Sequence, residues 1–306
     1  MSLVALIKRR RGESGFGYAS TAEEVTSGLD LSGKRIVITG VNSGLGQESA
    51  RVLAMRGATI FGLARTRDKA AAACSALAGD HQAVACELTD PGSIRAAVEE
   101  LRQADQPIDV LMCNAGIMAL PKRELIHGQE KQFFTNHVGH FMLVTGLLDA
   151  LADDARVVIL SSGAHGWAPE AGIQFDDLTL EHNYRPNRAY GQSKLANILF
   201  ARALARRLKG SSKVANALHP GVINTNLGRH MNPGVRLIAP IAGAIGFKSV
   251  PQGAATQCYV AAHPDAAAVS GEYFADCNLA KSSHHSRDDA MGERLWQVTE
   301  EIVAGL

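Results

Sequence analysis

"RIVITGVNSGLGQESARVLA", residues 35–54, decides how this chain folds. An apolar, β-branched run stops at Gly40, the glycine loop Gly40, Gly44, Gly46 follows, and helix formers begin at once. A strand that turns through glycines straight into a helix is the opening of a βαβ unit. Small residues there let the backbone approach a ligand closely, and the positive end of the new helix favours an anion such as a pyrophosphate. The spacing is GxxxGxG rather than GxGxxG, so the loop gains its weight from standing after the first strand. Asn42, Ser43 and Leu45 complete the expected cradle.

Outward from that unit, short apolar runs alternate with helical segments. "ATIFGLA" (58–64), "QAVACEL" (82–88), "IDVLMCNAG" (108–116), "ARVVILSS" (155–162) and "KVANALHPG" (213–221) read as strands. "PGSIRAAVEELRQA" and "KLANILFARALARRLK" carry helical periodicity between them. The strands are apolar throughout rather than alternating, as in a parallel sheet covered on both faces. The expected fold is α/β, a single-domain Rossmann-type doubly wound parallel sheet of about seven strands flanked by helices. Residues 1–25 read as an N-terminal arm and 26–306 as one domain, since no linker divides it. Residues 164–187 and 226–250 lack strand character and are expected to wall a substrate pocket.

The 306 residues are 46% hydrophobic and 20% charged, with net charge +1, an ordinary globular balance without the basic footprint of a nucleic-acid binder. "LVALI" before Lys8-Arg9-Arg10-Arg11 has the charge and the apolar run in the wrong order for a signal peptide, and too few apolar residues to span a membrane. That start is read as a surface arm, with weak membrane contact as the alternative. Five cysteines without a CxxC pair suit buried thiols in a reducing, cytoplasmic compartment. Eleven histidines form no HExxH pattern or ligand cluster, so no metal site is expected.

The end of the second strand bears on cofactor choice. Ala64 stands where an acid would bind the ribose 2′-hydroxyl of NAD, and Arg65, Thr66 and Arg67 follow. Arg65 suits a 2′-phosphate, so NADP(H) is expected over NAD(H).

"YGQSK", residues 190–194, puts a phenol and an ammonium on one helical face. A cation held nearby lowers a phenol's pKa toward neutrality, as a general acid or base requires. With "CNAG" (113–116), "NHVGHF" (136–141), "LSSGAH" (160–165) and "HPGVINT" (219–225), the ordered set resembles the short-chain dehydrogenase/reductase family over about residues 20–300. "YGQSKLAN", "LHPG" and "SGEYFADCNLAK" point to its retinol dehydrogenase-like branch, and "FGYASTAEEV" to the chloroplast import-associated reductase of that branch.

The resemblance implies an NADP(H)-dependent oxidoreductase acting on CH–OH groups, a carbonyl reductase in the reductive direction. It makes Ser162 the residue that hydrogen-bonds the substrate oxygen, Tyr190 the proton donor or acceptor, and Lys194 the holder of the nicotinamide ribose. Asn136 matches the support of a proton relay. Asn114, with Ala115 and Gly116, matches cofactor contacts, as do Pro220, Gly221 and Thr225 near the carboxamide. Glu87-Leu88 departs from the family, which usually has aspartate before the apolar residue at the adenine; the longer Glu87 is expected to reach it. His137, His140 and His165 are read as structural or pocket-lining. "LGRHMNPGVRLIAPIAGAIGF" (227–247) is expected to cover a lipophilic carbonyl or alcohol substrate, with Ile117, Met118, Leu120 and Trp167 as further walls. An oligomer contact or a membrane-touching hairpin is the alternative, and a homodimer or homotetramer fits the family. A reading of another class is an NADP(H)-binding redox sensor that docks a partner through the basic "ARALARRLKGSSK" (201–213), against the simpler reading of a helix with solvated arginines.

Overall fold

A computed structural model describes residues 10–104, 106–223 and 247–306; Thr225, residues 226–246 of the expected substrate loop and the start of the arm lie outside the described residues. The central sheet begins with β1 (Arg35–Thr39), β2 (Thr59–Ala64), β3 (Gln82–Ala85) and β4 (Ile108–Cys113). A small separate hairpin, β5 (Leu125–Ile126) with β6 (Gln129–Glu130), follows, and β7 (Leu151–Leu160), β8 (Val214–His219), β9 (Tyr273–Ala275) and β10 (Asn278–Leu279) complete it. The order β10-β9-β8-β7-β4-β1-β2-β3 is parallel except for the β9–β10 pair. The chain reverses direction of winding between β1 and β4, which opens a crevice at their carboxyl ends.

The continuous apolar strands serve two cores at once. Ile36 and Ile38 pack toward helices α1 (Gly44–Met55) and α6 (Val250–Ala262), while Val37 between them packs on the opposite face. That face is covered by α3 (Pro91–Arg102), α4 (Gly139–Leu147) and α5 (Pro186–Arg207). Helix α2 (Arg67–Cys74) flanks β2 and β3, and α7 (Asp289–Ala304) packs along α5.

The sheet has eight strands where the sequence suggests about seven, because β9 and β10 form a tight edge hairpin. Its turn residues, Asp276 and Cys277, have φ of 50° and 63°. Such turns ordinarily select Asn-Gly, so neither residue announces one. Strand β7 starts four residues earlier than its apolar run, at Leu151, where the register against β4 shifts and leaves Asp153 and Asp154 exposed. Residues 164–187 form 3-10 turns at Gly163–Trp167 and Phe175–Asp177, without strands.

The described part of the arm, residues 10–25, lies against the domain. Asn278 holds Ser14 N–H and Phe16 O through its side chain, and the Phe16 ring meets Tyr259 and His263. The basic stretch of α5 is engaged internally. Arg206 pairs with Asp289 and Glu293 at 2.7 Å, and Arg207 pairs with Glu293 and covers Trp296. All five cysteines are buried and unpaired. Among the described residues no helix is long and apolar enough to cross a membrane, and no cluster of three or more His, Cys, Asp or Glu could hold a metal ion.

His137 and His140 sit in the core. His137 lies among the rings of Phe133, Phe141 and Phe200, with only Nε2 bonded, to Thr299 Oγ1. Burial holds the two imidazoles down to about 3 and about 4 respectively. Because the folded values lie below the ordinary one, the unfolded chain binds more protons as pH falls below about 6.5. Stability is therefore full above that pH and lost below it, by about 1.4 kcal/mol per pH unit for each histidine. Calorimetric melts should show Tm falling from pH 7 to pH 5, with a shallower fall in His137→Phe.

Candidate active site

The crevice at the carboxyl ends of β1, β2 and β4 encloses about 640 Å3. Gly40, Asn42, Ser43, Gly44 and Leu45 line one side, and Asn114, Ala115 and Gly116 another. Gly40 and Gly44 take φ of +70° and +56°, conformations that glycine adopts without strain. A Cβ on Gly46 would collide with Gly40 O and, at 2.5 Å, with Asn114 Nδ2, so this glycine lets the helix start lie against β4. Ser43 makes no side-chain capping bond and the first turn holds no acid, leaving the positive end of α1 uncompensated by its own chain.

Of the two arginines after β2, Arg67 bonds Glu100 at 2.6 Å and Ala83 O at 2.7 Å, while Thr66 caps α2. Arg65 lines the crevice. Glu87 and Leu88 line it too, but one Glu87 carboxylate oxygen accepts from both Thr89 N and Thr89 Oγ1. The local turn thus occupies part of a side chain the sequence reading aims at the adenine.

Two side chains that motif reading passed over support this region. Thr39 Oγ1 accepts from Asn114 N and Ala115 N at 2.9 and 3.0 Å, and therefore presents its own proton to His140 Nε2, 2.9 Å away. The end of β1 is in this way sewn to the end of β4. Gln257 on α6 donates to Leu45 O and Ser49 Oγ. Thr39 sits inside the TG of the glycine motif, a signal that could have been used; Gln257 carries none.

Helix α5 begins with Pro186 at its first turn after an extended Arg185, a favourable start. Its inner face carries Tyr190 and Lys194, 6% and 3% exposed. Lys194 Nζ lies 5.8 Å from the Tyr190 ring centre and donates to Leu160 O at 3.0 Å. Ser161 and Ser162 divide their tasks at the end of β7. The Ser161 hydroxyl is buried and bonded to Lys194 O at 2.7 Å, whereas Ser162 Oγ accepts from Ala164 N and neighbours the Tyr190 phenol.

Burial opposes the expected drop in the Tyr190 pKa. It pushes the phenol up to about 12, with the neighbouring Ser162 hydroxyl opposing. Burial also weakens the Lys194 ammonium to about 8. Helical spacing correctly brought the pair together, but spacing carries no information on desolvation, which wins here.

Asn136 lies in a π-helical turn, Phe134–Val138, a distortion common at functional sites. Its amide accepts from Ile117 N at 2.8 Å and donates to Ile117 O and Ser193 Oγ, each at 2.9 Å. Ser193 Oγ in turn donates to Tyr190 O at 2.7 Å. Asn136 is thus a splint between the loop after β4 and α5. Ile117 and Met118 line the crevice, Leu120 is buried and accepts from Tyr184 through its carbonyl, and Trp167 is exposed. Pro220 and Gly221 follow β8 beside Lys248, where Gly221 has φ of +94°; neither lines the crevice.

The family profile described as short chain dehydrogenase matches residues 34–173. Short-chain dehydrogenase TIC 32 A, chloroplastic, from Brassica napus is 39% identical over the whole of both chains. Retinol dehydrogenase 14 from Homo sapiens is 37% identical over 89% of this chain and 87% of its own. Among solved structures, a blue fluorescent protein from a metagenomic library in complex with NADPH superposes with a TM-score of 0.64. It is 25% identical, with 80% of this chain and 97% of that one covered.

A side chain at position 46 would fill the space between the glycine loop and Asn114. Gly46→Val is expected to weaken binding of a reduced nicotinamide dinucleotide, read by its fluorescence, by about tenfold or more, a loss of at least ~1.4 kcal/mol, while the far-UV circular dichroism stays unchanged.

Proposed function

The chain belongs to the short-chain dehydrogenase/reductase family, and on that footing we propose that it is an NADP(H)-dependent oxidoreductase interconverting a lipophilic alcohol with its aldehyde or ketone. The observation that carries this reading is a buried phenol, Tyr190, sharing its helical face with Lys194, whose ammonium rests on the carbonyl of Leu160 in the wall of the glycine-lined crevice.

The residues present fit a dinucleotide. The glycine cradle and the uncapped start of α1 suit the pyrophosphate, and Arg65, with no acid at position 64, suits a 2′-phosphate. Lys194 gives one hydrogen bond, to Leu160 O, which leaves ammonium protons for ribose hydroxyls. The relative solved with NADPH supports the same cofactor. When bound, NADP(H) supplies or accepts the hydride at the nicotinamide ring.

The chain's own groups manage the oxygen and the proton. Ser162 Oγ already accepts from Ala164 N–H, so its proton is free to meet the substrate oxygen as negative charge develops there. Tyr190 is neutral at physiological pH, as any phenol is and more so under burial, and therefore holds a proton to donate in reduction. As the phenol gives up its proton, the nearby Lys194 ammonium and the Ser162 hydroxyl stabilise the phenolate that burial alone would penalise. Asn136 holds Ile117 and the Ser193–Tyr190 segment in register, and in the family this position also supports relay of the proton. The apolar Ile117 and Met118 in the crevice, together with likeness to retinol dehydrogenase 14, support a lipophilic substrate class.

The direct test is a panel of aldehydes and ketones with NADPH and NADH in parallel. Turnover should occur with NADPH, and Tyr190→Phe should lower it by about a hundred- to ten-thousandfold, the usual worth of a general acid. Undiminished turnover in that variant would remove Tyr190 from the chemistry. Arg65→Ala should raise the KM for NADPH by about ten- to a hundredfold, equivalent to one charge-assisted hydrogen bond, and leave that for NADH alone.

A further inference from the structure

We propose that His165 and His219 clamp the Ser162–Gly163 peptide from its two polar sides and are positioning residues for the Ser162 hydroxyl. The catalytic consequence rests on the function proposed above; the clamp itself rests on geometry.

The peptide after Ser162 has one carbonyl and one N–H, and each meets an imidazole. Ser162 O lies 2.7 Å from His165 Nδ1, alongside the turn's own bond from His165 N at 3.1 Å. Gly163 N–H donates to His219 Nδ1 at 3.0 Å. His165 comes from the 3-10 turn that follows the serine, and His219 from the last residue of β8. The peptide plane is therefore pinned between two elements that reach it independently.

The hydrogen-bond roles fix opposite tautomers. A carbonyl can only accept, so His165 carries its proton on Nδ1; its Nε2 accepts from Ser283 N–H at 3.0 Å. His219 must offer a lone pair on Nδ1, which leaves its proton on Nε2. Both rings are needed neutral, and their surroundings keep them so. Burial disfavours either imidazolium. Lys248, whose side chain is fully buried against Asp276 at 2.5 Å, adds a positive field at His219 that Asp276 partly offsets, and His165 itself faces His219. The Tyr273 ring stands edge-on to His165 at 5.2 Å.

Pinning that plane fixes the backbone torsion that aims the Ser162 Cα–Cβ bond. Ser162 is only half-buried, and its Oγ has a single backbone donor, Ala164 N at 3.2 Å, so the side chain has little else to hold it. A displacement of about 1 Å at a reacting group can cost about a hundredfold in rate. Ser161 needs no such device, because its hydroxyl is locked on Lys194 O.

The experiment compares His219→Leu and His165→Leu with His219→Asn and His165→Asn, in which an amide oxygen or N–H can stand near the lost Nδ1. With an aldehyde that the wild type reduces, the leucine variants should lose about ten- to a hundredfold in kcat. Their Kd for NADPH should stay within about twofold, and the asparagine variants should recover most of the kcat. Wild-type kcat in either leucine variant would overturn the positioning role, as would equal losses in both substitutions. Nitrogen-15 spectra of the wild-type histidines should show His165 protonated at Nδ1 and His219 at Nε2; the reverse tautomer at either would overturn the clamp regardless of activity. A wild type that binds NADPH but reduces no compound would remove the enzymatic reading and the positioning role with it, while the tautomers still decide whether the clamp exists.

Discussion

A buried ammonium resting on one strand-end carbonyl, Lys194 Nζ on Leu160 O, is the contact on which the site depends. Neither the charged lysine nor a charged tyrosine is welcome at that depth, as the opposite movements of their two pKa values record. The pocket therefore holds a weakened cation beside a strengthened phenol, and each would profit from a partner that the other can create. Asn197, which donates to the same carbonyl at 3.0 Å, keeps the acceptor directed toward α5.

The parallel sheet explains why such chemistry gathers here. With both faces of β1, β4, β7 and β8 covered by helices, unpaired backbone groups and polar side chains have room only where the strands end. Thr39 closes β1 onto β4, Ser161 closes β7 onto α5, and Asn136 closes the loop after β4 onto the same helix. Each of these polar side chains satisfies backbone groups that would otherwise be stranded. Tyr190 and Lys194 are placed by neighbours whose own polar groups are spent on the backbone.

The strands that build this frame were readable because buried parallel strands are apolar without interruption, as in Arg35–Thr39 and Ile108–Cys113. The glycine loop and the Tyr190–Lys194 spacing were readable because local backbone geometry dictates them. The β9–β10 hairpin was not, since Asp276-Cys277 turns without the usual Asn-Gly pair. Thr39, Gln257 and the two imidazoles around Ser162 depend on contacts between distant segments, and no local pattern encodes those. The Tyr190 shift runs upward, against the helical-spacing expectation, for a related reason. Proximity to a cation follows from helical period, whereas depth follows from everything packed around it.

The short arm over the last strand has a consequence beyond local packing. Strand β10 ends the sheet, and an open sheet edge invites a strand from another molecule. By bonding Ser14 and Phe16 to the Asn278 side chain, the chain lays part of its arm beside that border. The fold thereby crowds one margin of its sheet at Asn278, where a strand from another molecule would have to displace the arm before pairing.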